Sequence, residues 1–417
     1  MNSRFLLSAP HSGSGKTTVT LGLLRALRDR GCRVQPFKCG PDYIDPIHHR
    51  TAAGNDSYNL DRFMMSDAHI RDLYYRYSAN ADVSITEGVM GLFDGTAKDQ
   101  GSSADIARLL GLPVIIVLDA KATAYTAAAI LYGLKNFDTR LNVAGVIFNF
   151  VDHAGHYRLL VEACEDIDIK PLGYLPANDS LHIPERHLGL NTANSETAIA
   201  AAAEHIKRYV DLDTILSLTE SPAPARPAAT ATPSPQKKIL IALDQAFHFL
   251  YPENVRRLAQ WGQITWFSPT NDHTLPFQPD LLYLPGGYPE LYLQQLSENK
   301  NMLRQISTYA STDGRIIAEC GGMMYLGRSI VDDTGKEWPM AGVLEISTSM
   351  QHPRLTIGYR TFRPGNAEIK GHEFHFSQPL GTWPETPFFH NDNLLASYAH
   401  FYWGEDTTAL NSGVFRQ

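Results

Sequence analysis

The chain has 417 residues, 43% of them hydrophobic and 19% charged, with a formal net charge of -8 and a pI near 6.0. That length and apolar content supply core for two globular domains, while the acidic balance excludes a general nucleic-acid binder, which carries a basic one. No run approaches the roughly 20 apolar residues that span a bilayer, and Cys32, Cys39, Cys164 and Cys320 form no C-x-x-C pair, so a reducing cytoplasm is the expected setting.

The apolar stretch at the N-terminus is too short for a signal peptide. Phe5–Ser8 reads as a strand, followed by the turn Ser12-Gly13-Ser14-Gly15-Lys16-Thr17-Thr18. A helix with Val19, Leu23, Leu24 and Leu27 on one face comes next. Backbone N–H groups of such a loop, with the helix N-terminus, bind phosphate oxygens. Lys16 would reach the β- and γ-phosphates of ATP, and the Thr17 hydroxyl would ligate Mg²⁺. Pro10 stands where a strict G-x-x-x-x-G-K-T has glycine. An ordinary Gly/Ser turn is the plainer reading, but the order of strand, loop, Lys-Thr and helix favours phosphate.

Val34–Phe37 is the next strand, running into PFKCGPDYIDP, residues 36–46. Lys38, Asp42 and Asp45 there offer phosphate and metal contacts, and Cys39 reads as a small buried residue. Glu87 ends the strand Val83–Thr86, where a carboxylate is well placed for Mg²⁺ or its water shell. Further strands are expected at Val114–Leu118, Val143–Phe148 and Pro171–Leu175, and helices at Ser103–Leu110 and Ala122–Leu134. Apolar strands alternating with helices predict an α/β domain whose parallel sheet is covered on both faces.

Ser221–Gln236, SPAPARPAATATPSPQ, lacks large apolar residues and reads as an extended linker. We expect domains at 1–219 and 237–417 flanking a linker at 220–236. The second domain opens a new alternation with Lys238–Leu243 and Ile264–Phe267. Leu281–Leu284 ends at Pro285-Gly286-Gly287, and Arg315–Ala318 ends at Glu319-Cys320-Gly321-Gly322, before a helical run at Met323–Ile330. A sharp strand-to-helix turn exposes a nucleophile, and the helix N-terminus is expected to lower the Cys320 pKa. N–H groups of Gly286, Gly287 and Gly321 would stabilise an oxyanion, with His400 as the base. A buried core thiol and an ordinary histidine are the alternative, which the paired glycines disfavour. The chain becomes β-rich over 341–377. Gly371-His372-Glu373-Phe374-His375 is not H-E-x-x-H and reads as a β hairpin, not a zinc site.

In order, SGSGKTTVTLGLLRAL, PFKCGPDYIDP, NLDRFMM, EGVMGLFDG, IPERHLGL, LPGGYPELY and AECGGMMYLG make nearly the whole chain resemble the cobyrinate a,c-diamide synthase family. The resemblance implies an N-terminal P-loop domain like dethiobiotin synthetase and a C-terminal class I glutamine amidotransferase. It implies ATP-dependent amidation of the c and then the a acetate of a tetrapyrrole through an acyl phosphate, with ammonia from glutamine. By the same resemblance, Gly13, Ser14, Gly15, Lys16, Thr17, Thr18, Lys38 and Asn149 hold ATP. Thr17, Asp45 and Glu87 are associated with Mg²⁺. Asp42, Tyr43 and Asp94 touch the substrate, and Cys320 and His400 form the glutaminase pair. A homodimer is allowed for; nucleic acid and membrane are not expected partners.

The chain departs from common patterns at three places. Tyr402 stands where class I amidotransferases often carry a triad glutamate, which implies a Cys–His dyad and slow glutamine hydrolysis, with Glu373 as the alternative carboxylate for His400. Ala9 replaces a frequent glycine, and Phe150 after Asn149 replaces a frequent arginine. Hydrogenobyrinate and nickel-sirohydrochlorin are alternative rings. A P-loop regulatory or partition ATPase is the rival of another class.

Overall fold

The computed structural model describes residues 2–178, 192–222, 237–363, 368–381, 383 and 388–406. It divides into two compact units, 1–229 and 230–417. Among the described residues, no helix is long and apolar enough to cross a membrane.

The first unit is built on strands β1 (Asn2–Ser8), β2 (Val34–Cys39), β3 (Tyr58–Leu60), β4 (Val83–Glu87), β5 (Val114–Asp119), β6 (Val143–Asn149), β7 (Lys170–Leu175) and β8 (Glu220–Ser221). Their order is β3-β2-β4-β1-β5-β6-β7, and β1 to β7 pair in parallel. Phe5, Leu6 and Leu7 of β1 and Ile115, Ile116 and Val117 of β5 are wholly buried. That is what continuous apolar strands do when both faces of a sheet are covered. The chain moves from β1 to β2, returns to β4, and only then crosses to β5. The crevice at the C-terminal ends of these strands is therefore the topological switch point, where ligands of open α/β sheets bind.

Helix α1 (Lys16–Asp29) follows the loop after β1 and buries Val19, Leu23, Leu24 and Leu27, the face its periodicity predicts. Helix α2 (Ile44–Ala53) follows β2 and carries Asp45 in its first turn. Two details differ from the expectation. The three-residue β3 is too short to stand out as an apolar run. Glu220 and Ser221, assigned to the linker by composition, pair antiparallel with Ser3 and Asn2 and so belong to the first unit. Residues 223–236 of the expected linker lie outside the described residues.

The second unit holds β9 (Lys237–Ala242), β10 (Gly262–Phe267), β11 (Leu281–Leu284) and β12 (Ile316–Glu319). They are followed by β13 (Ser329–Val331), β14 (Glu337–Pro339), β15 (Ser347–Ser349), β16 (Thr356–Phe362), β17 (Ile369–His375), β18 (Gln378–Leu380), β19 (Phe388–His390), β20 (Leu394–Ser397) and β21 (Ala399–Phe401). The main sheet runs β10-β9-β11-β12-β20-β19, parallel except for the edge strand β19. Two smaller sheets, β14-β13-β15-β18 and β16-β17-β21, account for the β-rich stretch. The helix after Cys320 spans only Gly321–Leu326. The expected run to Ile330 is cut because Gly327 turns extended and Ile330 pairs with Trp338 and Thr348 in β14 and β15.

Candidate active sites

The first site lies at the C-terminal ends of β1, β2 and β4. Gly13 and Gly15 take positive φ, and α1 begins at Lys16. The buried Lys16 ammonium donates to the His11 carbonyl at 3.2 Å, so it curls back into its own loop. Burial lowers its pKa, against the pull of Glu87. Ser14 is also buried, and Thr17 and Thr18 lie in the first turn of α1. At the end of β6, Asn149 donates from Nδ2 to the Ser14 carbonyl at 3.0 Å. The neighbouring Phe150 takes a positive φ of 61°.

A buried charge cluster faces this loop. Thr17 donates its hydroxyl to Glu87 at 2.7 Å. Lys38 donates to Glu87 at 2.9 Å and to Asp45 at 2.5 Å. His49, wholly buried on α2, lies 2.7 Å from the other Glu87 oxygen, and its second ring nitrogen lies 3.0 Å from the Ser57 hydroxyl. Burial alone would lower the Lys38 pKa, but Asp45 and Glu87 outweigh it and hold the ammonium charged. Burial also opposes charge on Glu87, yet Lys38 and His49 keep its carboxyl well below the usual range. Asp45 shifts the other way, because burial and the neighbouring Asp42 charge outweigh Lys38. Burial pushes the Cys39 thiol up to about 12, in keeping with an inert core residue.

Of the three residues the resemblance assigns to substrate, two visibly hold the backbone. Asp42 accepts from the amides of Ile44 and Asp45 at 2.8 and 3.0 Å and so caps α2. Asp94 accepts from the Gly91 amide at 2.9 Å. Tyr43 is nearly buried at the start of α2. His49 had not been singled out in the sequence. It follows Asp45 by four residues, so on a helix both side chains share one face, and that spacing was its signal.

The second site lies where β12 ends. Cys320 takes φ 48° and ψ -108°, a conformation L-residues rarely adopt and one that costs about 1–3 kcal/mol. Its thiol points at the Phe374 carbonyl, 3.8 Å away. A Cβ added to Gly286 would lie 2.1 Å from His400 Cε1 and 3.2 Å from Cys320 Cβ, so the glycine lets the imidazole ring and the Cys320 β-carbon share one corner. A Cβ on Gly321 would lie 3.2 Å from the Gly287 nitrogen, which brings the backbones of the expected oxyanion donors side by side.

The electrostatics differ from the expectation in one respect. Burial, and after it the Glu290 carboxyl, pushes the Cys320 pKa up, against the Gly321 N–H. One short helix does not outweigh that desolvation, so the resting thiol keeps its proton and needs a base. Burial pushes His400 down to about 3, so the resting imidazole is neutral and would need a stabilising neighbour to hold a proton taken from the thiol. Glu373 is turned away from this role: Arg360 lies 2.5 Å and His375 3.0 Å from its carboxylate. The carboxylate that does approach His400 is Glu319, with Oε2 3.9 Å from Nδ1. It precedes the expected nucleophile, whereas the common triad pattern places the acid after the histidine.

The cavity lined by Phe249, Tyr288, Glu290, Cys320, Phe374 and His375 has a volume of about 10 Å³, room for about one water molecule. A larger one, about 490 Å³, is lined by Ser307, Asp313, Gly342, Asn391 and Leu394 and holds none of the groups described above.

Two family models match the chain: a CobQ/CobB/MinD/ParA nucleotide binding domain over residues 5–190, and a CobB/CobQ-like glutamine amidotransferase domain over residues 238–408. The cobyrinate a,c-diamide synthase of Caldanaerobacter subterraneus is 38% identical over 95% of this chain and 94% of its own. That of Picrophilus torridus is 39% identical over the same shares. The hydrogenobyrinate a,c-diamide synthase of Brucella suis is 40% identical over 89% of this chain and 88% of its own.

Proposed function

On the premise that the chain belongs to the cobyrinate a,c-diamide synthase family and is a glutamine-dependent amidating ligase, we propose that it converts the c and then the a acetate of a cobyrinate-type ring into amides. The observation that supports the reading is that one chain holds two clusters of different chemical character. One is a buried cluster of Lys38, Asp45, Glu87 and Thr17 beside a phosphate loop; the other is a strained Cys320 beside His400. An amidotransferase partner domain disfavours the regulatory ATPase reading.

In the first unit, a ring carboxylate oxygen attacks the γ-phosphorus of ATP and ADP leaves, forming an acyl phosphate. Ammonia cannot displace oxide from a carboxylate, but it displaces phosphate from this intermediate, and loss of a proton gives the amide. Residues Gly13 to Thr18, with Lys38 and Asn149, form the surroundings of the nucleotide, and Asp42, Tyr43 and Asp94 those of the ring. Thr17, Asp45 and Glu87 are hard oxygen donors of the kind Mg²⁺ prefers. The surplus buried negative charge that keeps Lys38 protonated fits a further cation there. When bound, Mg²⁺ would offset charge on the transferring phosphoryl group.

In the second unit, His400 takes the thiol proton as Cys320 Sγ bonds to the side-chain carbonyl carbon of glutamine. The oxyanion that forms meets the N–H groups of Gly286, Gly287 and Gly321. The C–N bond breaks, the proton passes from His400 to the leaving nitrogen, and ammonia departs. Water then hydrolyses the glutamyl thioester.

Incubating cobyrinate, hydrogenobyrinate or nickel-sirohydrochlorin with ATP, Mg²⁺ and glutamine, and reading the products by mass spectrometry, tests the reading. Two successive carboxyl-to-amide conversions on a cobyrinate-type ring, matched by ADP, are expected. Amidation of nickel-sirohydrochlorin alone would replace the substrate assignment.

A further inference from the structure

We infer that Glu319 is the positioning carboxylate of the glutaminase site, facing His400 Nδ1 and stabilising the imidazolium that forms when Cys320 loses its proton. The inference rests on the Cys320–His400 reading above and adds a residue to it.

Position 402, two residues after the histidine, holds a tyrosine, whose buried ring packs edge-on against Tyr251 with centroids 5.4 Å apart. That position offers no carboxylate. Glu319 offers one from another direction, being the last residue of β12 and the one before the nucleophile. Its side chain is 1% exposed, and so is that of His400. Two donors fix it: the Tyr283 hydroxyl at 2.9 Å to Oε2 and the Phe401 amide at 3.1 Å to Oε1. Because Phe401 follows His400 in β21, the same bond ties the carboxyl to the strand that carries the ring.

The Oε2 to Nδ1 distance of 3.9 Å is too long for a hydrogen bond. Catalytic hydrogen bonds are often long in ligand-free proteins and tighten when substrate binds, and burial of both side chains reduces the screening of the charge interaction between them relative to bulk water. On this inference Nδ1 pairs with Glu319 and Nε2 is the nitrogen that receives the thiol proton. An acid that orients the ring and holds the tautomer does the work of a triad aspartate. Burial pushes the Glu319 carboxyl up to about 8 and His400 down to about 3. At rest both are therefore largely uncharged, and the pairing acts only once the ring takes up the thiol proton.

The test compares Glu319→Gln and Glu319→Asp with the parent chain, using glutamine or ammonia as nitrogen donor. In Glu319→Gln, kcat with glutamine should fall by about tenfold or more while KM for glutamine stays within about twofold, since the loss is confined to the transition state. Ammonia-dependent synthesis should persist. Glu319→Asp, which keeps the charge but withdraws it by one methylene, should recover part of the loss. An unchanged kcat with glutamine in both variants overturns the inference, and so does an equal loss with both donors, which would make Glu319 structural. Cys320→Ala in the same series keeps the two readings apart. If it loses glutamine use while Glu319→Gln does not, only the role of Glu319 fails; if Cys320→Ala still uses glutamine, the underlying reading fails.

Discussion

Single residues set the chemistry of both centres, and each centre has a neighbour that is hard to see in the sequence. Glu87 stands out because it ends an apolar strand before a glycine, and Cys320 because it follows one directly before a glycine pair. His49 and Glu319 do not, because their importance lies in what they touch. His49 holds one oxygen of Glu87 at 2.7 Å while Lys38 and Thr17 hold the other. Replacing it by phenylalanine leaves a buried carboxylate short of a partner. We therefore expect His49→Phe to cost about 1–3 kcal/mol of stability and to lower synthesis with either nitrogen donor, which denaturant unfolding and ADP release would check. Unaltered ammonia-dependent synthesis in a folded His49→Phe protein would show that Glu87 needs no support from it. Gly286 makes the opposite prediction. A methyl group there would meet His400 Cε1 at 2.1 Å, so Gly286→Ala should abolish glutamine use and spare ammonia use. A variant that hydrolyses glutamine normally would mean that His400 does not need its present place.

At the scale of elements, the main strands were legible because they are buried on both faces and read as unbroken apolar runs. β3 and β13 were not: each has three residues, and pairing rather than pattern defines them. The turn into α2 shows how an element positions a site. Asp42 caps α2 through the amides of Ile44 and Asp45, and α2 then presents both Asp45 and His49 to the cluster around Glu87. The resemblance assigns Asp42 to the substrate, whereas its visible bonds are those of a cap. Asp42→Ala should lose about 1 kcal/mol of stability and synthetase activity together. Asp42→Asn retains an acceptor and separates the two roles. If Asp42 only caps the helix, Asn keeps both stability and activity; if it also meets the ring, Asn keeps the melting temperature but raises KM for the tetrapyrrole.

At the scale of the whole molecule, the chain divides into units 1–229 and 230–417, and the small strand that keeps Ser221 with the first unit was not legible in composition, since two residues carry no pattern. The cavity at Cys320, about 10 Å³, is smaller than a glutamine side chain, so we expect glutamine binding to be accompanied by a local rearrangement of the cavity wall. Glutamine hydrolysis should therefore be slow for the isolated protein and rise when ATP and the ring are both present. Equal glutaminase rates with and without them, read as glutamate release, would remove that coupling. The central claim is that one centre makes an acyl phosphate and the other supplies its nitrogen. Mass spectrometry of the ring product tests it most directly, with the parent and Cys320→Ala each given ATP and glutamine carrying a labelled amide nitrogen, and separately unlabelled ammonia. The account predicts label in both new amides of the parent product, no amidation of the ring by Cys320→Ala with glutamine, and unlabelled diamide from Cys320→Ala with ammonia. Labelled diamide from Cys320→Ala, or no diamide from it with ammonia while it remains folded and binds ATP, would contradict the account.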